Sequence, residues 1–393
     1  MKDHRIKLTA LALLLATSLS VFSACSGNND RSKPGDNSAQ SSAESKKEVI
    51  SDAGDDSKPT ESGKDESSTE ESKQSTASDP TDDKEKGSVP ELPEPANMGE
   101  VVNGILIYNR TALEQFFGYD ELAKSYGETM KKMSNYLGDD VKIYNVLVPT
   151  HCGIQLPQAV MDEYGLPDQN QYIQDIIKAY ADDTPIVPVN TYDTLMHHRD
   201  EYIYLNTDHH WSGLGAYYAY KDFCKAAGEE YVRLSDLQEG KIEGYYGSLT
   251  AYVDESLVDP DTVTYYKTDK DITTTLYDND GTGGTDTNLI HSYADSSFAY
   301  GVFLGGDNGL MVSKNPQGNG KKIAVVKESY GNAFCPYIAY TYGETHMIDF
   351  RYITFDFKKY LKDNDIHEVI FINNNMATAT PARCEDLENL ILE

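Results

Sequence analysis

The chain has 393 residues, 39% of them hydrophobic, and a formal net charge of −30. Residues 1–25 carry +2, residues 26–95 carry −9 and residues 96–393 carry −23. That balance excludes nucleic acid and anionic lipid surfaces as partners of the folded part, since both need clustered positive charge.

The first seven residues are cationic, and an apolar run from Leu8 to Phe22 follows that is too short to span a bilayer as a stable anchor. This is the pattern of a secretory signal. The run ends Phe22-Ser23-Ala24-Cys25, which resembles a bacterial lipoprotein cleavage box with Cys25 as the lipidated residue and Phe22 where Leu is commoner. Residues 1–25 are thus expected to be a lipoprotein signal and lipobox, placing the protein outside the cytoplasm on the outer face of the bacterial membrane. Residues 26–95 are Ser, Asp, Glu, Lys, Pro and Gly with almost no large apolar side chain. They cannot bury enough surface to offset their ordering entropy and read as a disordered tether. Residues 96–393 are long enough for one α/β domain with a substantial core.

Within that domain, 101–108 reads as a strand. Leu122, Tyr126, Met130, Met133 and Leu137 recur at helical spacing and predict a helix over 119–137. A strand over 141–148, a helix over 169–180 and a strand over 185–189 follow, an alternation typical of a parallel sheet. A Gly/Ala/Tyr-rich helix begins near Gly213. Residues 229–319 change character, with short β-branched and Tyr-bearing runs and turn-rich stretches, and read as a β-rich insertion. The alternation resumes with strand 322–327, helix 332–342, strand 345–348, helix 356–363 and strand 368–373.

Two stretches carry chemistry. Thr207-Asp208-His209-His210-Trp211 puts a carboxylate and two imidazoles ahead of a helix, and Lys327-Glu328-Ser329-Tyr330-Gly331-Asn332 puts a serine at a strand end. A serine hydroxyl needs an imidazole to take its proton and a carboxylate to fix that imidazole's tautomer. In extended backbone Asp208 and His210 face the same side, while His209 points away. Ser329 is therefore the candidate nucleophile, His210 the base and then acid, and Asp208 the orienting carboxylate. The amides of Tyr330, Gly331 and Asn332, at the start of the following helix, would form an oxyanion hole. A metal reading of Asp208-His209-His210 needs further carboxylates at strand ends that the sequence does not place, so no metal and no cofactor are expected.

These two blocks, with Gly213-Leu214-Gly215-Ala216-Tyr217-Tyr218, resemble the signature of the DHHW family of bacterial surface proteins. That family is similar to the alginate O-acetyltransferase branch of the SGNH hydrolase fold. The resemblance covers roughly 100–376 and implies a three-layer α/β/α sandwich with a parallel sheet. It also implies serine-based O-acetyl transfer or ester hydrolysis on a cell-surface polysaccharide or peptidoglycan. If the activity is transfer, it further implies a membrane-bound acyltransferase as acyl donor. The alternative is a catalytically inactive glycan-binding or scaffold lipoprotein on the same fold. One departure stands out: family members more often carry Asp where this chain has Glu328.

Other residues have two readings. Trp211 either stacks a sugar face at the site mouth or anchors its loop from below. Asn374, in Asn373-Asn374-Asn375, either donates to the oxyanion, where SGNH enzymes use an Asn, or ends its strand in a turn. Ser248 reads as a turn residue and Arg351 as the partner of Asp349. Cys152, Cys224, Cys335 and Cys384 allow three disulfide pairings, and their spacing selects none.

Overall fold

The computed structural model describes residues 84–391. Cys25, the signal segment and the tether up to residue 83 lie outside the described residues. In chain order the elements are β1 (Glu100–Val102), β2 (Ile105–Tyr108), β3 (Thr111–Glu114), α1 (Asp120–Leu137), β4 (Lys142–Val148), α2 (His151–Gln155), α3 (Gln158–Tyr164), α4 (Gln169–Tyr180), β5 (Val187–Asn190), α5 (Tyr192–His197) and α6 (Gly213–Ala227). There follow β6 (Gln238–Tyr245), β7 (Asp261–Lys267), β8 (Thr273–Tyr277), β9 (Thr285–Thr287), β10 (Leu310–Lys314), β11 (Lys322–Lys327), α7 (Tyr330–Thr341), β12 (Glu344–Asp349), α8 (Phe357–Asp363), β13 (Glu368–Asn374), α9 (Asn375–Thr378) and α10 (Pro381–Glu388).

The apolar runs of β4, β11 and β13 are buried along almost their whole length, as strands covered on both faces must be. Alternate side chains enter two separate cores. Tyr144, Val146, Ile323, Val325, Ile370 and Ile372 pack with the Tyr-rich faces of α6 and α7. Ile143, Leu147, Ala324, Val326, Val369 and Phe371 pack with α1, α4 and α8. Each strand pairing conserves this two-sided pattern, because a slip of one residue would exchange the faces.

The central sheet has eight strands in the order β5-β4-β13-β11-β12-β10-β8-β9. The five from β5 to β12 are mutually parallel, as expected. The other three are antiparallel additions, so the sheet is mixed rather than parallel. These three strands come from 229–319, which is therefore not wholly an appended lobe. Only β6 and β7 form a separate ribbon. The cause is visible in the sequence: β8 (Thr-Thr-Thr-Leu-Tyr) is β-branched and pairs along an edge that β10 would otherwise leave open.

The predicted strand at 101–108 is a hairpin, β1 with β2, and β3 completes a small three-stranded sheet. Asn103 (φ 49°) and Gly104 (φ 87°) both lie in the left-handed region, which a two-residue hairpin turn of this type requires. The Asn-Gly pair within the apolar run was the signal for that turn.

Two residues within the stretch read as tether lie on the domain. Lys84 bonds Asp200 and Glu201 at 2.5 and 2.6 Å. Glu85 bonds Lys221, whose side chain is fully buried, at 2.9 Å, and Lys225 at 2.5 Å. A chain begun at residue 96 would lose the partly buried Glu85 carboxylate opposite Lys221. It should be less stable than one begun at residue 74 by about 1 to 2 kcal/mol, less than for a pair buried on both sides. Urea unfolding of the two chains, followed by circular dichroism, measures the difference.

Candidate active site

Asp208 and His210 sit at the tip of a tight loop whose shape is fixed from several sides. Tyr204 and Trp211 face each other in an antiparallel bridge. The Leu205 amide donates to the His210 carbonyl, and the Ser212 amide to that of Ile203. The Ser212 hydroxyl then caps α6 by accepting from the Gly215 amide at 3.2 Å. Buried Asp261, at the start of β7, accepts from the amides of Asn206 (2.5 Å) and Thr207 (2.9 Å), which pins the tip.

Ser329 lies one residue past the end of β11, beyond Glu328, at the carboxyl edge of the sheet, and is the residue before α7. The two segments meet. His210 Nε2 lies 2.8 Å from Ser329 Oγ, and His210 Nδ1 lies 2.6 Å from Asp208 Oδ1. Asp208 Oδ2 accepts from the Tyr245 hydroxyl at 2.6 Å and the Ser248 amide at 3.0 Å. Burial would raise the Asp208 carboxyl, but His210, His209 and these bonds outweigh it and hold it well below the usual carboxylate range. It is the permanent anion that an orienting residue must be.

Several neighbours in the site were not singled out from the sequence. Tyr300 stacks on His210 with ring centroids 3.9 Å apart and donates to the Ser329 carbonyl at 3.2 Å. Tyr245 and Gly247 shape the Asp208 pocket, and a Cβ at Gly247 would fall 2.4 Å from that of Asp208. Ser248, read as a turn residue, does open a 3-10 turn, yet its hydroxyl also lies 2.7 Å from His209 Nδ1. His209 is partly exposed. Burial and the neighbouring His210 lower its basicity, while Asp208, Glu114 and Glu328 oppose them.

The expected oxyanion hole differs from expectation. The Tyr330 amide donates to Glu328 Oε2 at 3.0 Å, the Gly331 amide to the Glu328 carbonyl at 2.9 Å and the Asn332 amide to the Ser329 carbonyl at 3.1 Å. All three amides are thus held internally, because the long Glu328 side chain folds back over the turn and its backbone tightens into 3-10-like bonds. Asn374 is the last residue of β13 and its Oδ1 caps α9, so the strand-ending reading holds, while its Nδ2 donates to Glu328 Oε1 at 3.2 Å instead of standing free for an oxyanion. Asn332 Nδ2 donates to Asp307 at 2.9 Å. The Ser329 amide is not one of these internal bonds of the turn.

Trp211 has no exposed surface and donates to the Tyr330 carbonyl at 3.0 Å. It anchors the loop and is unavailable to stack a sugar. Arg351 forms a two-pronged pair with Asp349 at 2.8 and 2.6 Å and also reaches Asp307 at 2.8 Å. Asp349 in turn holds buried Lys327 at 3.0 Å. The four cysteines are free and buried, and burial pushes the Cys335 thiol up to about 12.

Asp208, His209 and His210 have ligand atoms within 4.8 Å of one another, the spacing a cation would need. Asp208 and His210 are already engaged with each other, with Ser329, Tyr245 and Ser248, and this donor set is that of a hydrolase triad.

The family model described as DHHW protein matches residues 52–348. Among solved structures, the chain is similar to a DHHW family protein from Eubacterium siraeum, with 29% identity and a TM-score of 0.68, covering 75% of this chain and 98% of that one. It is also similar to Bacillus cereus PatB1 solved with a sulfonyl adduct, with 19% identity and a TM-score of 0.57 over 72% of this chain and 96% of that one. A second structure of Bacillus cereus PatB1 gives 18% identity and a TM-score of 0.55 over 70% and 97%. At these last two identities the likeness is one of fold. No curated protein matches the sequence.

Gly247→Ala should push Asp208 off its bond to His210 and cost activity without changing the serine, about 100-fold in kcat for a shift near 1 Å; esterase kinetics beside a thermal melt would show it. The depressed Asp208 carboxyl stabilises the fold above the unfolded value of about 4, and that stabilisation is lost as pH falls toward the lower folded value. Asp208→Asn should therefore lower the melting temperature at pH 7, and the gap should narrow below about pH 4 in melts taken across that range.

Proposed function

This chain belongs to the DHHW family, and from that premise we propose that it is a serine-dependent O-acyl transferase or esterase outside the cytoplasm, acting on a cell-surface polysaccharide or peptidoglycan. The observation that carries the reading is the continuous chain of short bonds from Ser329 Oγ through His210 to Asp208, with Asp208 held by two further donors. The mixed α/β sheet, with helices over both faces, is compatible with an SGNH-type three-layer sandwich, and this finer fold assignment is part of the proposal.

In the first half-reaction His210 Nε2 accepts the hydroxyl proton as Ser329 Oγ bonds to the acyl carbon. Collapse of the resulting oxyanion expels the donor's oxygen, which takes the proton back from His210. In the second half the acceptor hydroxyl, of sugar or of water, gives its proton to the same nitrogen as it attacks acyl-Ser329; the Oγ–acyl bond then breaks and Ser329 Oγ takes that proton from His210. Asp208 holds Nδ1–H throughout and stabilises the imidazolium that forms in each half. Transfer and hydrolysis differ only in which hydroxyl reaches the acyl group. The acetyl group is the one used by the transferase branch that the two motifs resemble. A transferase of this kind would draw its acyl group from a membrane-bound acyltransferase and would be held near it by lipidated Cys25. The sulfonyl adduct on Bacillus cereus PatB1 supports the reading, since sulfonyl reagents mark activated nucleophiles.

The amides taken up by Glu328 and by the turn favour a second reading, an inactive glycan-binding or scaffold lipoprotein. The two separate cleanly. Ser329→Ala should abolish p-nitrophenol release from p-nitrophenyl acetate, and His210→Ala should reduce it by about 1,000-fold or more. Equal rates from wild type and Ser329→Ala, both folded, would transfer the case to the binding protein.

A further inference from the structure

Glu328 is a buried carboxylate that this scheme leaves unused. Its Oε2 accepts from the Tyr330 amide at 3.0 Å and from the Ser329 hydroxyl at 3.3 Å, and its Oε1 accepts from the Asn374 amide and side chain, both at 3.2 Å. The first two donors belong to the nucleophile's turn and the last two to the end of the neighbouring strand β13. We propose that Glu328 is the positioning residue of the nucleophile: it ties the Ser329 turn to β13 and gives the hydroxyl proton a second acceptor. This rests on the acyl-Ser329 reading above.

Ser329 has one hydroxyl proton and two acceptors within reach, His210 Nε2 at 2.8 Å and Glu328 Oε2 at 3.3 Å. Asp208 keeps the Nδ1 proton on His210, so in the neutral imidazole Nε2 is bare and takes the serine's hydrogen bond, the productive arrangement. When Nε2 is protonated it becomes a donor to Oγ, and the hydroxyl proton turns to Glu328. Oγ keeps its place in both states. During acylation the Oγ–H bond breaks, the proton passes to Nε2 and then to the leaving oxygen, and Glu328 neither gains nor loses one.

Four donors need two acceptor atoms, and this distinguishes glutamate from its replacements. Glutamine has one oxygen and one NH2, so in either orientation its NH2 meets an N–H, that of Tyr330 or that of Asn374. Aspartate keeps the charge and both oxygens. One methylene shorter, it still reaches the Tyr330 amide and the Ser329 hydroxyl, two positions or fewer along the chain, and gives up the bonds to Asn374.

The test uses the full chain and reads Ser329 reactivity directly, as the rate at which phenylmethylsulfonyl fluoride adds to Ser329 by intact mass, beside saturation kinetics with p-nitrophenyl acetate. Glu328→Gln should slow both labelling and kcat by about 10- to 100-fold with KM within about 2-fold, and Glu328→Asp, which keeps the bonds to the turn but not the tie to β13, should recover part of the loss. Glu328→Gln labelling at the wild-type rate overturns the proposal. So does Glu328→Asp falling as far as Glu328→Gln while both melt at lower temperature, which would make the residue a brace for the fold alone. If wild type labels at Ser329 but does not turn over the ester, the proposed function falls and the labelling ratio by itself judges Glu328. Wild type left unlabelled at Ser329 overturns both.

Discussion

The bond between His210 and Ser329 joins residues 119 positions apart, and a hydrogen bond tolerates an error of only a few tenths of an ångström. Two further bonds set that register. The Trp211 indole donates to the Tyr330 carbonyl, and the Tyr330 hydroxyl donates to the His209 carbonyl. The residues flanking the reacting pair on each side therefore grip one another, and the reacting side chains lie between fixed points. Because Tyr330 also opens α7, the grip passes into a helix buried along its whole length. The site has the rigidity of the core rather than that of a loop.

Charge is the second organising feature. In so acidic a chain a nucleophile could easily sit in a field that opposes the anion it must form. Three carboxylates of the site are instead engaged by several partners each. Asp208 faces His210, Tyr245 and Ser248; Asp307 faces Arg351 and Asn332; Glu328 faces Tyr330 and Asn374. Lys327 and Arg351 lie under the turn and balance Asp349 and Asp307. Opposition from Lys327, Arg351 and Asn332 holds Asp307 down to about 2 against the effect of its burial. Such a network is costly to break at any one member, because the partner left behind is buried and charged.

The parallel half of the sheet was legible because its strands are unbroken apolar runs and its helices carry apolar stripes, so α1, β4, α4 and β11 fall within two or three residues of expectation. Periodicity says little about edge strands, and β8 to β10 came out as an insertion when they complete the sheet. Asp208, His210 and Ser329 were legible because triad chemistry dictates residue type. Their supports were not. Tyr245 and Tyr300 are two of 29 tyrosines, and nothing local to either marks it. Gly247 matters only because Asp208, 39 positions earlier, passes beside it. The amides of Tyr330 to Asn332 were read from a general rule about helix starts, and the rule gave way to one long side chain at Glu328.

The single tryptophan of the chain is the residue that clasps the two catalytic segments together. Its indole is fully buried, its N–H is bonded, and the ring of Tyr330 lies 5.4 Å away, centroid to centroid. An indole so placed emits at short wavelength, and it loses that emission when its hydrogen bond opens to water. Tryptophan emission, an average over many sites in most proteins, comes here from one residue bonded to the turn that carries the nucleophile. Nature has thus left this protein with a built-in optical probe of whether its active site is assembled.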